Sequence, residues 1–536
     1  MKTEDFRKFI TNKIGVWPML EQGPVLNFTS NENFNLTKTL ASFRVQSLFD
    51  IYVYVDEKNT SANILQFNQG VLTLGSRSYY LNDTIYSTEI TALKAYMKSW
   101  FTILIDDAEL NINGTKLDQE INEMIDFEKQ IAQIMSSPVE TRNKIRTYNK
   151  RIMSDLNDLL PQVNWDLYFK LIMPEEVYKF LQSNTSIIVK ELDYFKKLNG
   201  LLKSTEPRII LNYVIFRAVS TYSVSLDERI LNNLQELYKV LYGRKQRPEL
   251  WLQCMLEVSF PMKMVLGALY VEKHFANQDK NKALEMIKNV QESLEHSLSK
   301  LNWMDSATKE NAYRKLKAMI NQIGYPEYIL NQTQLDEYYR NLSFNSNDSY
   351  FFMVDTVYKW IRANNFRKLL KPFNRTEMTV GPTVVNAYYS HVQNALIFPA
   401  AFLQSPFFKG DYPKFVNYGS IGSIVGHEII HGFDDQGSKY DEEGNLVNWW
   451  SQSSSKQFAL KKQCIINQYS SYEVVGTNLT INGELCQGEN IADNGGIKQS
   501  YLAYQKYLKY LGKSEPKLPG LEKYTNEQLF FISYTH

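Results

Sequence analysis

The stretch from Ile421 to His431 leaves the chain little conformational choice. Ile421-Gly422-Ser423-Ile424-Val425-Gly426 is apolar or small throughout, as the front of a buried helix should be, and His427-Glu428-Ile429-Ile430-His431 continues it. A helix puts residues four apart on one face, so His427 and His431 can reach a single metal ion. Glu428 falls beside that ion instead of on it, where a general base for an activated water belongs. Two imidazoles and one carboxylate suit zinc and leave a fourth position open. The bland reading is a core helix with two hydrogen-bonded histidines. Against it, the chain has only six His, at 274, 296, 391, 427, 431 and 536, and two of them fall in this one motif. Gly432 follows and lets another backbone come near.

The missing carboxylate has a counterpart downstream in Gly488-Glu489-Asn490-Ile491-Ala492-Asp493-Asn494-Gly495-Gly496. Glu489 and Asp493 are four apart and share a helix face. Glu489 can be the third metal ligand. Asp493 can accept a hydrogen bond from the free ring nitrogen of a ligand histidine, which orients that ring and raises its basicity. Two solvated acids on a surface helix would read the same way, but Ile491 and Ala492 suggest a buried start. The paired glycines permit close helix approach.

At 536 residues the chain exceeds one hydrophobic core, and two or three units are expected. The first two thirds read as mainly helical: Glu120–Ile131, with Ile121, Met124, Ile125 and Ile131 on one face and Phe127 off it; Lys282–His296; and Thr308–Ile323, which starts after Asp305-Ser306 and stops at Gly324-Tyr325-Pro326. Strand signals are sparser, at Ile51–Val55 and Ser349–Val354. Asn341–Ser349 reads as a surface loop. The character changes near residue 350, where Gly, His and acidic motifs begin. The expected division is a helical domain over 1–350 and a metal-binding domain over 351–536.

With 59 basic and 58 acidic side chains, net charge +1, nothing calls for nucleic acid or an anionic membrane. No apolar run reaches membrane-spanning length, and the Met1-Lys2-Thr3-Glu4-Asp5-Phe6 start leads into no signal-peptide core. Asn-x-Ser/Thr sequons point the other way, to a secretory origin. They stand at Asn27, Asn35, Asn59, Asn82, Asn113, Asn184, Asn331, Asn341, Asn347, Asn374 and Asn478. Cys254, Cys464 and Cys486 are an odd count with no zinc-knuckle spacing.

His427–His431 with Glu489–Asp493 resembles the neprilysin and endothelin-converting-enzyme family of zinc peptidases. So do Val385-Asn386-Ala387-Tyr388-Tyr389, Phe398-Pro399-Ala400, Gln404-Ser405-Pro406-Phe407-Phe408, His431-Gly432-Phe433-Asp434-Asp435, Trp449-Trp450 and Leu518-Pro519-Gly520-Leu521. Trp303-Met304-Asp305, Gly324-Tyr325-Pro326 and Ser76-Arg77-Ser78-Tyr79-Tyr80 extend the likeness over nearly the whole chain. The resemblance implies a mainly α, two-domain fold: a thermolysin-like zinc peptidase domain with a small β part, capped by a large helical domain. It implies one Zn2+ held by His427, His431 and Glu489, with Glu428 as base and Asp493 in a supporting or proton-donor role. Asn386 and the Ala387 backbone would anchor an extended peptide as an added edge strand. Phe407 would line the pocket for the residue after the cleaved bond. Expected substrates are short extracellular peptides cut before hydrophobic residues, outside the cell or at the plasma membrane, with anchoring only if a preceding segment supplies it.

The same resemblance sets an expectation about this polypeptide. The family carries an Asp-x-His motif and an arginine beyond Gln528-Leu529-Phe530-Phe531, and His536 does not match that histidine. Losing an oxyanion donor costs roughly 3–4 kcal/mol of transition-state stabilisation. The expectation is therefore retained zinc and weak or absent hydrolysis. Cys254 and Cys464 resemble two of the family's disulfide cysteines, with partners in segments outside the chain.

Overall fold

The computed structural model describes residues 3–14, 17–20, 36–42, 46–82, 84–275 and 277–535. The sequons at Asn27 and Asn35 and the terminal His536 lie outside them. The chain is mainly helical, with two small sheets, and divides into two compact units of discontinuous sequence.

The first unit comprises 1–54, 63–253 and 341–372. Its four-stranded sheet takes its order β1-β2-β4-β3 from β1 (Phe49–Asp56), β2 (Asn59–Gln69), β3 (Lys150–Ile152) and β4 (Ser186–Val189). β2 and β4 run parallel, β3 and β4 antiparallel. The expected strand at Ile51–Val55 is β1. Long helices surround a core rich in aromatics, including Trp100, Phe101, Phe127, Tyr213 and Phe216, each under 2% exposed. The helix expected at Glu120–Ile131 runs over Gly114–Ile134, capped by the Asn113 side chain on Thr115 N–H. Phe127 is buried along with the predicted face, so the apolar stripe is wider than the periodicity indicated. Ser349–Val354 is not a strand. It opens the helix Tyr350–Arg367, which buries Phe351, Asp355, Trp360 and Phe366. A six-residue aromatic run looks like strand, but over the longer window its buried positions follow a helical period.

The second unit comprises 55–62, 254–340 and 373–536. It contains α1 (Asn277–Ser299), α2 (Ser306–Lys317), α3 (Ile421–His431) and α4 (Gln487–Leu511). Its sheet has the order β5-β7-β6, from β5 (Ile320–Gly324), β6 (Tyr388–Ser390) and β7 (Ala395–Pro399). β7 is central, parallel to β5 and antiparallel to β6, which leaves β6 at an edge. Two sequence expectations change here. The helix predicted over Thr308–Ile323 stops at Lys317, and Ile320–Gly324 becomes β5, because in-register pairing with Ala395–Pro399 overrides the local helical pattern. The division near residue 350 is displaced for the same reason. Pairing of β5 with β7 holds residues 254–340 in the unit of the histidine helix, and 341–372 cluster with the first unit.

Among the described residues, no single helix is long and apolar enough to cross a membrane. Cys254, Cys464 and Cys486 are all unpaired thiols.

Candidate metal centre

The site is built on the crossing of α3 and α4. On α3 the small residues Gly422 and Gly426 are one turn apart, and on α4 so are Gly496 and Ser500. A methyl at Gly426 would lie 2.3 Å from the Gly496 carbonyl oxygen, and one at Gly496 would lie 2.3 Å from the His427 nitrogen. The two backbones are in contact, antiparallel, with Gly422 facing Ser500 and Ile430 facing Gly495. The neighbouring stripe of α3 is anchored by Ile421, Val425 and Ile429, all essentially fully buried. Each such side chain contributes roughly 1.5–3 kcal/mol of burial free energy.

This crossing sets the acids of α4 over the histidines of α3. His427 Nε2 and His431 Nε2 are 2.9 Å apart. Glu489 Oε2 is 3.4 Å from each of them. Four-coordinate zinc with bonds of roughly 2.0–2.1 Å requires donor atoms roughly 3.3 Å from one another. The triangle of 2.9, 3.4 and 3.4 Å meets that requirement, and its two imidazoles and one carboxylate are a catalytic zinc donor set. Among the described residues it is the cluster whose donor atoms all come within 4.8 Å of one another.

Each ring is oriented through its other nitrogen. His427 Nδ1 is 2.8 Å from Asp493 Oδ1, and His431 Nδ1 is 2.8 Å from Asp434 Oδ2. With Nδ1–H donating to a carboxylate, each Nε2 lone pair faces the triangle. Asp434 is only 2% exposed and accepts two further bonds on Oδ1, from Gln436 N–H at 2.8 Å and Gly437 N–H at 2.7 Å. Asp493 and Glu489 are more open, with side chains 57% and 62% exposed.

Glu428 is 6% exposed, and burial raises its carboxyl above the usual range, opposed by the two histidines and by a hydrogen bond from the Tyr389 backbone N–H. Burial disfavours charge on both rings, but the acids outweigh it without a metal. Asp493 and Glu489 hold His427 up at about 9, and Asp434 and Glu489 hold His431 up at about 10. Hydrogen bonds from the two rings hold Glu489 well below its ordinary value. Four carboxylates around two imidazoles make a site that attracts a dication.

The structure thus brings together His427, Glu428, His431, Glu489 and Asp493. Ala387, 6% exposed, directly precedes edge strand β6, whose Tyr389 amide faces Glu428. Asn386 is exposed and its Oδ1 accepts from Ala387 N–H at 2.9 Å. Phe407 is half-buried against Phe402, ring centroids 4.7 Å apart. Gly432 borders the Met319 side chain, and the backbone that comes near it belongs to Gly437. Asp434 was missed as a functional residue. The signal was available: two ligand histidines need two orienting partners, and an acid three positions after His431 stands in a tight turn.

The chain matches models of peptidase family M13 over residues 4–326 and 386–536. It is 42% identical over 530 residues to Neprilysin-11 of Caenorhabditis elegans, covering 98% of this chain and 62% of that protein. Neprilysin-1 of the same organism is 39% identical over 522 residues, 97% of this chain and 69% of that one. The chain therefore spans about two thirds of the length of these relatives. In structure it is similar to the zinc metalloprotease ZMP1 of Mycobacterium tuberculosis, with a TM-score of 0.85 at 25% identity, over 99% of this chain and 76% of that one.

Proposed function

Since this chain belongs to peptidase family M13, we propose that it is a zinc-dependent metalloendopeptidase acting on short extracellular peptides, with cleavage before hydrophobic residues. The observation that carries this reading is the donor triangle of His427, His431 and Glu489 with buried Glu428 on the same helix. Bound there, zinc would supply Lewis acidity to the water and to the scissile carbonyl. Glu428, with its carboxyl raised by burial, is suited to take a proton from the attacking water and return it to the departing amine. Asp493 and Asp434 hold the two rings at their Nδ1 atoms, and Asp493 is open enough to meet a substrate group.

The edge strand supports a binding mode. β6 pairs on one side with β7, so a peptide can be added on its other side, next to the Tyr389 amide and Glu428. Asn386 and the Ala387 backbone stand at the entrance of that edge, and Phe407 offers an apolar wall for the residue after the cleaved bond.

The test is expression of this chain, measurement of its zinc content, and cleavage of a short quenched peptide with a hydrophobic residue after the scissile bond, with Glu428→Gln as control. One zinc per chain and wild-type cleavage that the Gln variant loses would support the reading. Zinc retained without cleavage by either protein would leave a peptide-binding relative in its place. Zinc-independent cleavage would overturn it.

A further inference from the structure

The turn that follows the histidine helix is closed by short-range backbone bonds, from Ser438 N–H to the Asp434 carbonyl at 3.0 Å and from Tyr440 N–H to the Gly437 carbonyl at 3.1 Å, and is tied to its surroundings by side chains. Its carbonyls at Gly437, Ser438 and Tyr440 accept, respectively, from Lys315 Nζ at 2.5 Å, from Trp450 Nε1 at 2.7 Å, and from both Lys315 Nζ at 2.7 Å and Trp449 Nε1 at 3.0 Å. Lys315 alone among these bridges two carbonyls. It projects from α2 and is 1% exposed, with its ammonium 5.6 Å from the centre of the Phe433 ring. Burying an ammonium is costly, and a leucine or methionine would serve packing without that cost. Its own backbone is fixed as well, since fully buried Asn394 donates to the Lys315 carbonyl at 3.0 Å.

Gly437 is where the lysine meets the metal centre. Its C=O is held by Lys315, and its N–H donates to Asp434 Oδ1. A methyl at Gly437 would fall 1.9 Å from the His431 carbonyl oxygen, so this residue lies directly against the end of the histidine helix. The other oxygen of Asp434 holds the His431 ring. The series Lys315, Gly437, Asp434, His431 is therefore continuous, each link a hydrogen bond between buried or half-buried groups.

We propose that Lys315 is a positioning residue for the metal centre: it fixes the 434–440 turn so that Asp434 holds the His431 ring with Nε2 aimed at the metal. This rests on the zinc reading above. Lys315 reaches no ligand itself and acts only through the turn. Removing its two donors leaves the Gly437 carbonyl with the Tyr440 N–H alone, at 3.1 Å, and the Tyr440 carbonyl with Trp449 Nε1 alone, so the turn loses the ammonium that ties both carbonyls to α2 and is freer to shift.

A double-mutant cycle on zinc affinity tests this, read by competition with a chelator on the full chain, with no need for peptidase activity. Asp434→Asn is expected to weaken zinc binding about 10- to 100-fold, and Lys315→Met about 10-fold. The double variant is expected to be no worse than Asp434→Asn alone, because the lysine acts through the aspartate. Independent, multiplying losses would overturn the proposal. So would a Lys315→Met protein of lower Tm whose folded fraction binds zinc like wild type, since that is a structural role only. If Lys315→Met does not fold, Lys315→Gln enters the same cycle, and the Co2+-loaded protein gives a second readout. A visible absorption band altered from wild type supports the proposal, and an unchanged band refutes it. A wild-type chain that binds no zinc at all would instead bring down the site reading, and this proposal with it.

Discussion

Gly426 and Gly496 touch backbone to backbone: a methyl on Gly426 would sit 2.3 Å from the Gly496 carbonyl oxygen. Neither neighbour is a flexible side-chain end, so only separation of the two helices can relieve the clash. The metal triangle spans those same helices, with both imidazoles on one and Glu489 on the other. Gly496→Ala is expected to cost roughly 1–3 kcal/mol through overpacking. It is also expected to weaken zinc binding at least about 10-fold by moving Glu489 away from the rings. Thermal unfolding and chelator competition measure the two effects. Full zinc affinity in a folded Gly496→Ala protein would mean that the crossing does not set the triangle.

How far the sequence revealed this site depends on the range of each relationship. His427 with His431 and Glu489 with Asp493 are pairs one helical turn apart, so spacing alone placed each on a face. The paired glycines at 495–496 marked where α4 could be approached closely, whereas on α3 the contact falls at Gly426, not at the Gly432 that the sequence pointed to. The orientation of His431 by Asp434 depends on a turn closed by Lys315, more than 100 residues earlier, and no periodicity carries that. Ile320–Gly324 shows the same limit. Its local pattern continues a helix, and only the partner strand at Ala395–Pro399 makes it β5. The compact units differ from the division at 350 as well, since residues 254–340, with β5 paired to β7, cluster with the histidine helix.

Zinc is expected to stabilise the chain by mass action on the native state. At free zinc a hundred times the dissociation constant the gain is roughly 2.7 kcal/mol, and a chelator should remove it. Glu489→Ala deletes one of three donors and should abolish most of that increment, and it should also lower the zinc-free Tm modestly, because the 62% exposed Glu489 side chain pairs with both rings when no metal is bound. Calorimetry with and without zinc checks both statements. A zinc-dependent Tm that survives in Glu489→Ala would place the metal elsewhere.

The two orienting aspartates are expected to differ in weight. Asp434 is buried and takes three donors, whereas Asp493 is half exposed and holds one ring nitrogen. Removing either should cost zinc affinity within about 10- to 100-fold, with Asp434→Asn nearer the upper end and Asp493→Asn nearer the lower. The Asp434 variant should also lose stability, since Asn Oδ1 can replace only part of that bonding. Zinc titrations of the two variants side by side give the order, and the reverse order would contradict the burial argument.

On the peptidase reading, Asn386 serves binding more than chemistry. It lies two residues before edge strand β6, away from the donor triangle in sequence, and its Oδ1 is occupied by the Ala387 amide. Asn386→Ala is expected to raise KM roughly 10-fold with little change in kcat, as for loss of uniform substrate binding. Steady-state kinetics on a short peptide separate the two constants. A fall in kcat at constant KM would assign Asn386 to the transition state instead.

Lys315 also predicts a pH dependence. Burial pushes its ammonium down to about 7, opposed by Asp434, Asp441 and Glu442, from an ordinary value of 10.5. Below pH 7 both folded and unfolded chains carry the proton, and the full cost of burying the charge is present. Between about 7 and 10.5 the unfolded chain holds the proton more often than the folded one, so stability rises with pH. The slope from this one group is at most about 1.4 kcal/mol per pH unit. Buried tyrosines such as Tyr389 and Tyr213, whose hydroxyls burial holds far above 10, act only at higher pH. The comparison therefore belongs between pH 7 and 9.5, as the difference in unfolding free energy between wild type and Lys315→Met. That difference should shift in favour of wild type as pH rises across this window. Parallel curves would mean that the lysine keeps its proton when buried, stabilised by the Gly437 and Tyr440 carbonyls and by Asp434.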